Sequence, residues 1–131
     1  MRFSLFIFFL FTGICLVAGD TTSYKKAKPT ILYGTASYYS NTFNGKKTAN
    51  GEIYSHKKMT AACNVLPLGT WIKVTNLRNG KSVVVKTNDR LHTRMKRVVD
   101  LSREAAEKLG YVKSGLTRVR VEVIGRKKPE K

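Results

Sequence analysis

Trp71-Ile72-Lys73-Val74-Thr75-Asn76-Leu77-Arg78-Asn79-Gly80-Lys81-Ser82-Val83-Val84-Val85-Lys86-Thr87-Asn88 is the stretch on which the fold turns. Its two halves, Trp71 to Leu77 and Lys81 to Asn88, are rich in β-branched residues and alternate in polarity, the period of a half-buried strand. Between them Asn79-Gly80 is the strongest short-range hairpin signal a sequence offers, because both residues tolerate the positive φ of a type I′ turn.

The same period returns near the end of the chain, where Val119, Val121 and Val123 face one way and Arg118, Arg120 and Glu122 the other. Ile31 to Tyr39 reads as another strand, with Gly34 marking a bulge or a close approach. Asn41 to Gly51, with two glycines and three asparagines, reads as loop. A single helix is predicted over Ser102 to Leu109: Leu101, Ala105 and Leu109 repeat on one face, Glu104 and Lys108 pair on the other, Asp100 or Ser102 caps the start, and Gly110 ends it. Four to six strands with one short helix predict an all-β domain, a small closed barrel, and closure disposes of exposed strand edges.

In front of this domain stand Arg2 and an apolar run from Phe3 to Ala18, followed by Gly19-Asp20. The run is too short for the roughly 20 residues that span a bilayer and has the shape of a secretory signal peptide cut after Gly19; an uncleaved membrane anchor is the alternative. Cys15 falls within the removed segment, since Ile14 before it is too large for a lipoprotein cut. The expected organisation is a signal peptide over 1–19, a polar linker over 20–30, the barrel over 31–125 and a basic tail over 126–131. One cysteine, Cys63, then remains, so the exported domain has no disulfide framework and is stabilised by packing.

The chain carries 25 Lys plus Arg against 8 Asp plus Glu, a formal charge of +17. A basic exported domain is drawn to polyanions such as wall phosphates, cell-wall carboxylates or shed nucleic acid. Nucleic-acid binding would want aromatics interleaved with basic residues on a strand platform, or a helix loaded with Arg and Lys; neither is present. In a chain so poor in acid, carboxylates inside polar motifs stand out, and three occur: Glu52 in Thr48-Ala49-Asn50-Gly51-Glu52, Asp89 in Asn88-Asp89-Arg90, and Asp100 in Asp100-Leu101-Ser102. Two histidines and one retained cysteine lack ligand spacing, so no metal and no cofactor is expected.

Taken in order, Gly34-Thr35-Ala36-Ser37-Tyr38-Tyr39, Asn44 to Glu52, Met59-Thr60-Ala61-Ala62, Leu66-Pro67-Leu68-Gly69-Thr70, Val74-Thr75-Asn76-Leu77, Asn88-Asp89-Arg90 and Asp100-Leu101-Ser102 resemble the rare lipoprotein A family of double-psi β-barrel proteins, relatives of the expansin and barwin barrels. The resemblance covers about Tyr33 to Ile124. It implies a six-stranded barrel crossed by a glycan-holding groove, and a lytic transglycosylase acting on peptidoglycan strands stripped of their stem peptides. Such an enzyme cleaves the β-1,4 link between N-acetylmuramic acid and N-acetylglucosamine and leaves a 1,6-anhydro end. The expected protein is then an exported monomer of the periplasm or cell envelope, with no membrane span after cleavage.

Ordinary glycosidases use two carboxyl groups. A lytic transglycosylase can manage with one, because its nucleophile is the C6 hydroxyl of the same muramyl residue and the acid that protonates the departing O4 can then collect the C6 proton. The resemblance puts that acid on Asp89, with Glu52 and Asp100 assisting; Asp89 read alone is equally a loop aspartate bonding its own turn, and Asp100 a helix cap. Tyr38, Tyr39, Thr48, Asn50, Cys63, Asn88 and Arg90 are the substrate-contact candidates, and Phe43 and Trp71 join the aromatics of the groove or pack in the core.

Two departures from the family pattern matter. Where active relatives have a histidine after Ala61-Ala62, paired with the aspartate, this chain has Cys63; and the Gly-Pro after Asn-Asp-Arg is replaced by Leu91-His92. A thiol donates only weakly. Three readings stay open: a buried Cys63 with His92 or His56 supplying the donor, a reactive thiol, or a domain that has kept binding and lost catalysis as an expansin-like wall-binding module. A basic secreted protein that holds an anionic polymer is a further class.

Overall fold

A computed structural model describes residues 30–130; the expected signal peptide and nearly all of the expected linker lie outside the described residues. The chain forms β1 (Ile31–Tyr38), a 3-10 turn (Asn41–Phe43), β2 (Thr60–Ala62), β3 (Trp71–Asn76), β4 (Ser82–Asp89), β5 (Val99–Leu101), α1 (Arg103–Leu109) and β6 (Thr117–Gly125). The six strands close into a barrel in the order β1-β5-β2-β4-β3-β6. Two neighbours are parallel, β1 with β5 and β2 with β4, and the rest antiparallel. The expected all-β six-stranded barrel with one helix is what forms.

The period-two strands supply the barrel's inside. Val74, Val85, Val119 and Val121 are fully buried with Ile72 and Leu101, each such side chain contributing about 1.5–3 kcal/mol. Arg120 and Glu122 pair on the outer face of β6 at 3.0 Å. The helix lies against β4 and β1 and buries Ala105, Ala106 and Leu109. Its cap is Ser102, whose hydroxyl accepts from the Ala105 N–H at 3.3 Å, and Gly110 ends it in the left-handed conformation at φ 77°. Asp100, a candidate cap in the sequence, instead sits in β5 and pairs with Arg97.

The hairpin between β3 and β4 departs from a type I′ turn. Among the described residues none but glycine has positive φ, so Asn79 stays in ordinary backbone space and, within the loop, Gly80 alone turns at 77°. The reason is Asn76. Its backbone N–H donates to the Lys81 carbonyl and its own carbonyl accepts from the Gly80 N–H, both at 2.8 Å, closing a longer loop over Leu77 to Gly80.

Gly34 is a close approach. A Cβ there would lie 2.8 Å from the Cβ of Val98, the residue just ahead of β5, inside contact distance. Gly34→Ala should therefore lower stability by about 1–3 kcal/mol, read as a shifted urea midpoint with unchanged slope.

Candidate functional site

Strand β2 is only three residues long, yet it sets the site. Ala62 pairs with Asp89 of β4 on one side and Asp100 of β5 on the other, which places the two aspartates at one level of the barrel with Cα atoms roughly 10 Å apart, two strand spacings. Both line a cleft of about 500 Å³ together with Tyr38, Tyr39, Ser40, Phe43, Leu91, His92, Met95 and Arg97.

Asp89 is held by three donors. Its Oδ1 accepts the backbone N–H groups of Ala49 at 2.9 Å and Arg90 at 2.8 Å, and its Oδ2 accepts the Tyr39 hydroxyl at 2.6 Å. Tyr39 stays a neutral donor: burial first, then the hydrogen bond to Asp89 and the charges of Asp89 and Asp100, push its phenol far above the usual range. The Arg90 guanidinium does not pair with Asp89. It turns away and donates to the Cys63 and Leu66 carbonyls, pinning the loop after β2.

The loop carrying Ala49 is itself built by Glu52. Thr48 N–H donates to the Glu52 carbonyl at 2.7 Å, Asn50 N–H to the Asn88 carbonyl at 3.2 Å, and the Glu52 carboxylate accepts Asn50 Nδ2 at 2.6 Å, Asn88 Nδ2 at 3.3 Å and Lys86 Nζ at 3.4 Å. Hydrogen bonding from Asn50 above all, with Asn88 and Lys86 adding and burial opposing, holds the Glu52 carboxyl below its ordinary range. A carboxyl lowered on folding stabilises the fold above its unfolded titration range, and that contribution is lost as the pH falls through the lowered value. Glu52→Gln should therefore lower the melting temperature at neutral pH and flatten its decline below about pH 4.3, where variant and wild type converge.

Asp100 is committed to Arg97, which donates from Nε to Oδ1 at 2.8 Å and from Nη2 to Oδ2 at 3.1 Å. This pairing, with the Asp100 hydrogen bond as its largest cause, raises the Arg97 guanidinium further above its normal range. Arg97 is thereby a fixed cation on the cleft wall.

Behind Tyr39 stands Tyr54, ring on ring at 4.0 Å and 20°, with its hydroxyl 2.8 Å from His56 Nδ1 and accepting the Arg103 N–H at 3.3 Å. Phe43 meets the other edge of Tyr39 at 5.6 Å.

The motifs singled out in the sequence thus converge, with several reassignments. Thr48 and Asn88 are buried; the Thr48 hydroxyl donates to Asn50 Oδ1 inside the loop, and Asn88 ties the loop to β4. Cys63 is fully buried in the core and touches Asp89 only through its backbone N–H, which donates to the Asp89 carbonyl at 3.0 Å. Neither histidine bonds the Asp89 carboxylate: His56 sits under Tyr54, and His92 lines the cleft with Nδ1 accepting the Arg94 N–H. Trp71 is away from the cleft, under Lys128. Sequence reasoning missed Tyr54 and Arg97. The only trace of Arg97 was its three-residue spacing to Asp100.

The sequence profile of the lytic transglycolase family of double-psi barrels matches residues 32–121. The chain belongs to this family. Tyr39, Glu52, Asp89 and Asp100 all fall within the family's span. The chain is similar to the endolytic peptidoglycan transglycosylase RlpA of Pseudomonas aeruginosa strain UCBPP-PA14, at 54% identity over 93 residues, covering 71% of this chain and 27% of that one. The RlpA of Vibrio cholerae is 50% identical over 107 residues, covering 82% and 41%. The chain therefore spans well under half the length of these curated relatives.

Among solved structures, the fold is shared with the Streptomyces papain inhibitor at a TM-score of 0.59 and 19% identity, covering 72% of this chain and 94% of the inhibitor. It is shared also with a mutant expansin of Clavibacter michiganensis in complex with cellohexaose, at 0.58 and 20%, covering 77% and 54%.

Proposed function

We propose that the domain is a lytic transglycosylase that cleaves N-acetylmuramyl-N-acetylglucosamine links in peptide-poor peptidoglycan strands and leaves 1,6-anhydro ends. The observation that carries this reading is Asp89, fixed at the mouth of the cleft by two backbone amides on Oδ1 and with Oδ2 turned to a hydroxyl rather than to an arginine. In the reaction Asp89, entering as the acid, gives its proton to the glycosidic O4 as the C1–O4 bond breaks. The muramyl C6 oxygen bonds to C1, and its proton passes to the Asp89 carboxylate, so the acid is restored and no water is consumed.

Glu52 assists from outside the cleft, by fixing the loop that presents Ala49 to Asp89. Asp100 assists through Arg97, whose remaining N–H groups are available to substrate oxygens. Exposed Phe43 and the partly buried Tyr38 offer apolar faces to sugar rings. Residues 1–19 act as the export signal, the domain over 31–125 works as a monomer in the periplasm or cell envelope, and glycan strands rather than nucleic acid are its partner. The excess of Lys and Arg over Asp and Glu gathers the domain onto an anionic wall.

Incubation with peptide-stripped strands tests the reading. Anhydromuramyl ends detected by mass spectrometry support it; strands that co-sediment with the protein yet yield no such ends would make the domain a binding module of the expansin kind.

A further inference from the structure

Tyr39 reads from the sequence as a sugar platform, but the fold withholds it. The residue is 7% exposed, its ring is covered by Tyr54 and Phe43, and its hydroxyl is spent on Asp89. We propose that Tyr39 is the positioning residue that governs the proton on Asp89; the inference rests on the transglycosylase reading of the same site.

The two oxygens of Asp89 are not equivalent. Oδ1 accepts two backbone N–H groups, of Ala49 and Arg90, and these can only donate, so a proton on Oδ1 would take the lone pair of one and leave that amide unpaired. The travelling proton must therefore sit on Oδ2, whose partner is the Tyr39 hydroxyl. A hydroxyl suits both states, because it donates to a carboxylate and, by rotating one O–H bond, accepts from an acid or frees the acid proton for substrate. No heavy atom needs to move. The ring stays clamped between Tyr54 and Phe43, and Tyr54 is itself pinned by His56 and the Arg103 amide. Cys63 cannot play this part, since its side chain lies in the core and only its backbone reaches β4.

Other charged and titratable groups surround the pair: Asp100 from β5 with Arg97 just ahead of it, Arg90 and His92 after β4, Tyr54 behind the ring, and Glu52 through the Thr48–Glu52 loop. Replacing Tyr39 by phenylalanine leaves all of them in place and keeps the stacked ring, so it removes one donor and little else.

The test is Tyr39→Phe in the full chain. With peptide-stripped strands, kcat should fall about tenfold or more while KM changes less than about twofold, and the alkaline fall of the rate should move to higher pH by about one unit, because the carboxylate loses a donor worth about that much. An increase in KM with an unmoved pH profile would restore the sugar-platform role and overturn the proposal. So would an equal loss at every pH, the mark of a merely structural residue. Independently of turnover, carbon NMR of the Asp89 carboxyl should show its titration displaced upward in the variant; a titration identical to wild type overturns the proposal even where turnover is absent, and a displaced one sustains it whatever becomes of the transglycosylase reading.

Discussion

Asp89→Asn should abolish the formation of anhydromuramyl ends, a loss of about 10²–10⁴-fold, while binding of the strands changes less than about twofold. The asparagine is the same size and can keep the site assembled. Its Oδ1 accepts from Ala49 and Arg90 as before, and its amide group donates to the Tyr39 hydroxyl, which turns to accept. What disappears is the proton for O4 and the base for the C6 hydroxyl. Mass spectrometry of the product and co-sedimentation with intact strands separate the two effects. Equal losses of product and of binding would mean that Asp89 holds sugar and does not transfer a proton.

Asn76→Ala should produce the largest loss of stability of any single polar substitution, about 2–4 kcal/mol. This 1%-exposed side chain joins three elements at the hairpin end of the β3–β4 pair, opposite the end that carries Asp89. Its Nδ2 donates to the Leu109 carbonyl at the end of α1 at 2.9 Å, and its Oδ1 accepts the Arg78 N–H at 3.0 Å and the Thr117 hydroxyl at 2.8 Å. Leu109 would keep Asn79 as a second donor, at 2.8 Å. Thr117 would not be compensated, and its hydroxyl is buried. The loss should appear as a lower urea midpoint, with catalysis per folded molecule retained; a midpoint shifted by less than the equivalent of about 1 kcal/mol would show that water replaces the missing groups.

Much of the barrel was legible because β1, β3, β4 and β6 are long enough to display a period. Val119, Val121 and Val123 announce their strand without help. Three residues cannot: β2 is Thr60-Ala61-Ala62 and β5 is Val99-Asp100-Leu101, too short for alternation to be distinguished from chance, and both become strands only because longer neighbours flank them. The site followed the same rule. Asp89, Glu52 and Asn88 were legible as motifs, and the structure brings them together, but the partner of Asp89 lies 50 positions away in Tyr39 and no local pattern connects them. Choosing between Asp100 and Ser102 as the cap needed Arg97, whose side chain draws Asp100 away from the helix. At Asn79 the competing force was the helix end: its amide reaches the Leu109 carbonyl and its Oδ1 accepts the Lys81 N–H, which favours the longer loop over the tight turn.

Closure of the barrel joins the first described strand to the last, with Ile31 opposite Glu122 and Ala36 opposite Thr117. Because β1 finds its antiparallel partner only when β6 is available, a nascent chain has no complete sheet to settle into. Contacts of such long sequence separation make folding slow, on the order of milliseconds to seconds. A chain delivered thread-like through a narrow passage would stay pliable until its final strand arrived, and then lock.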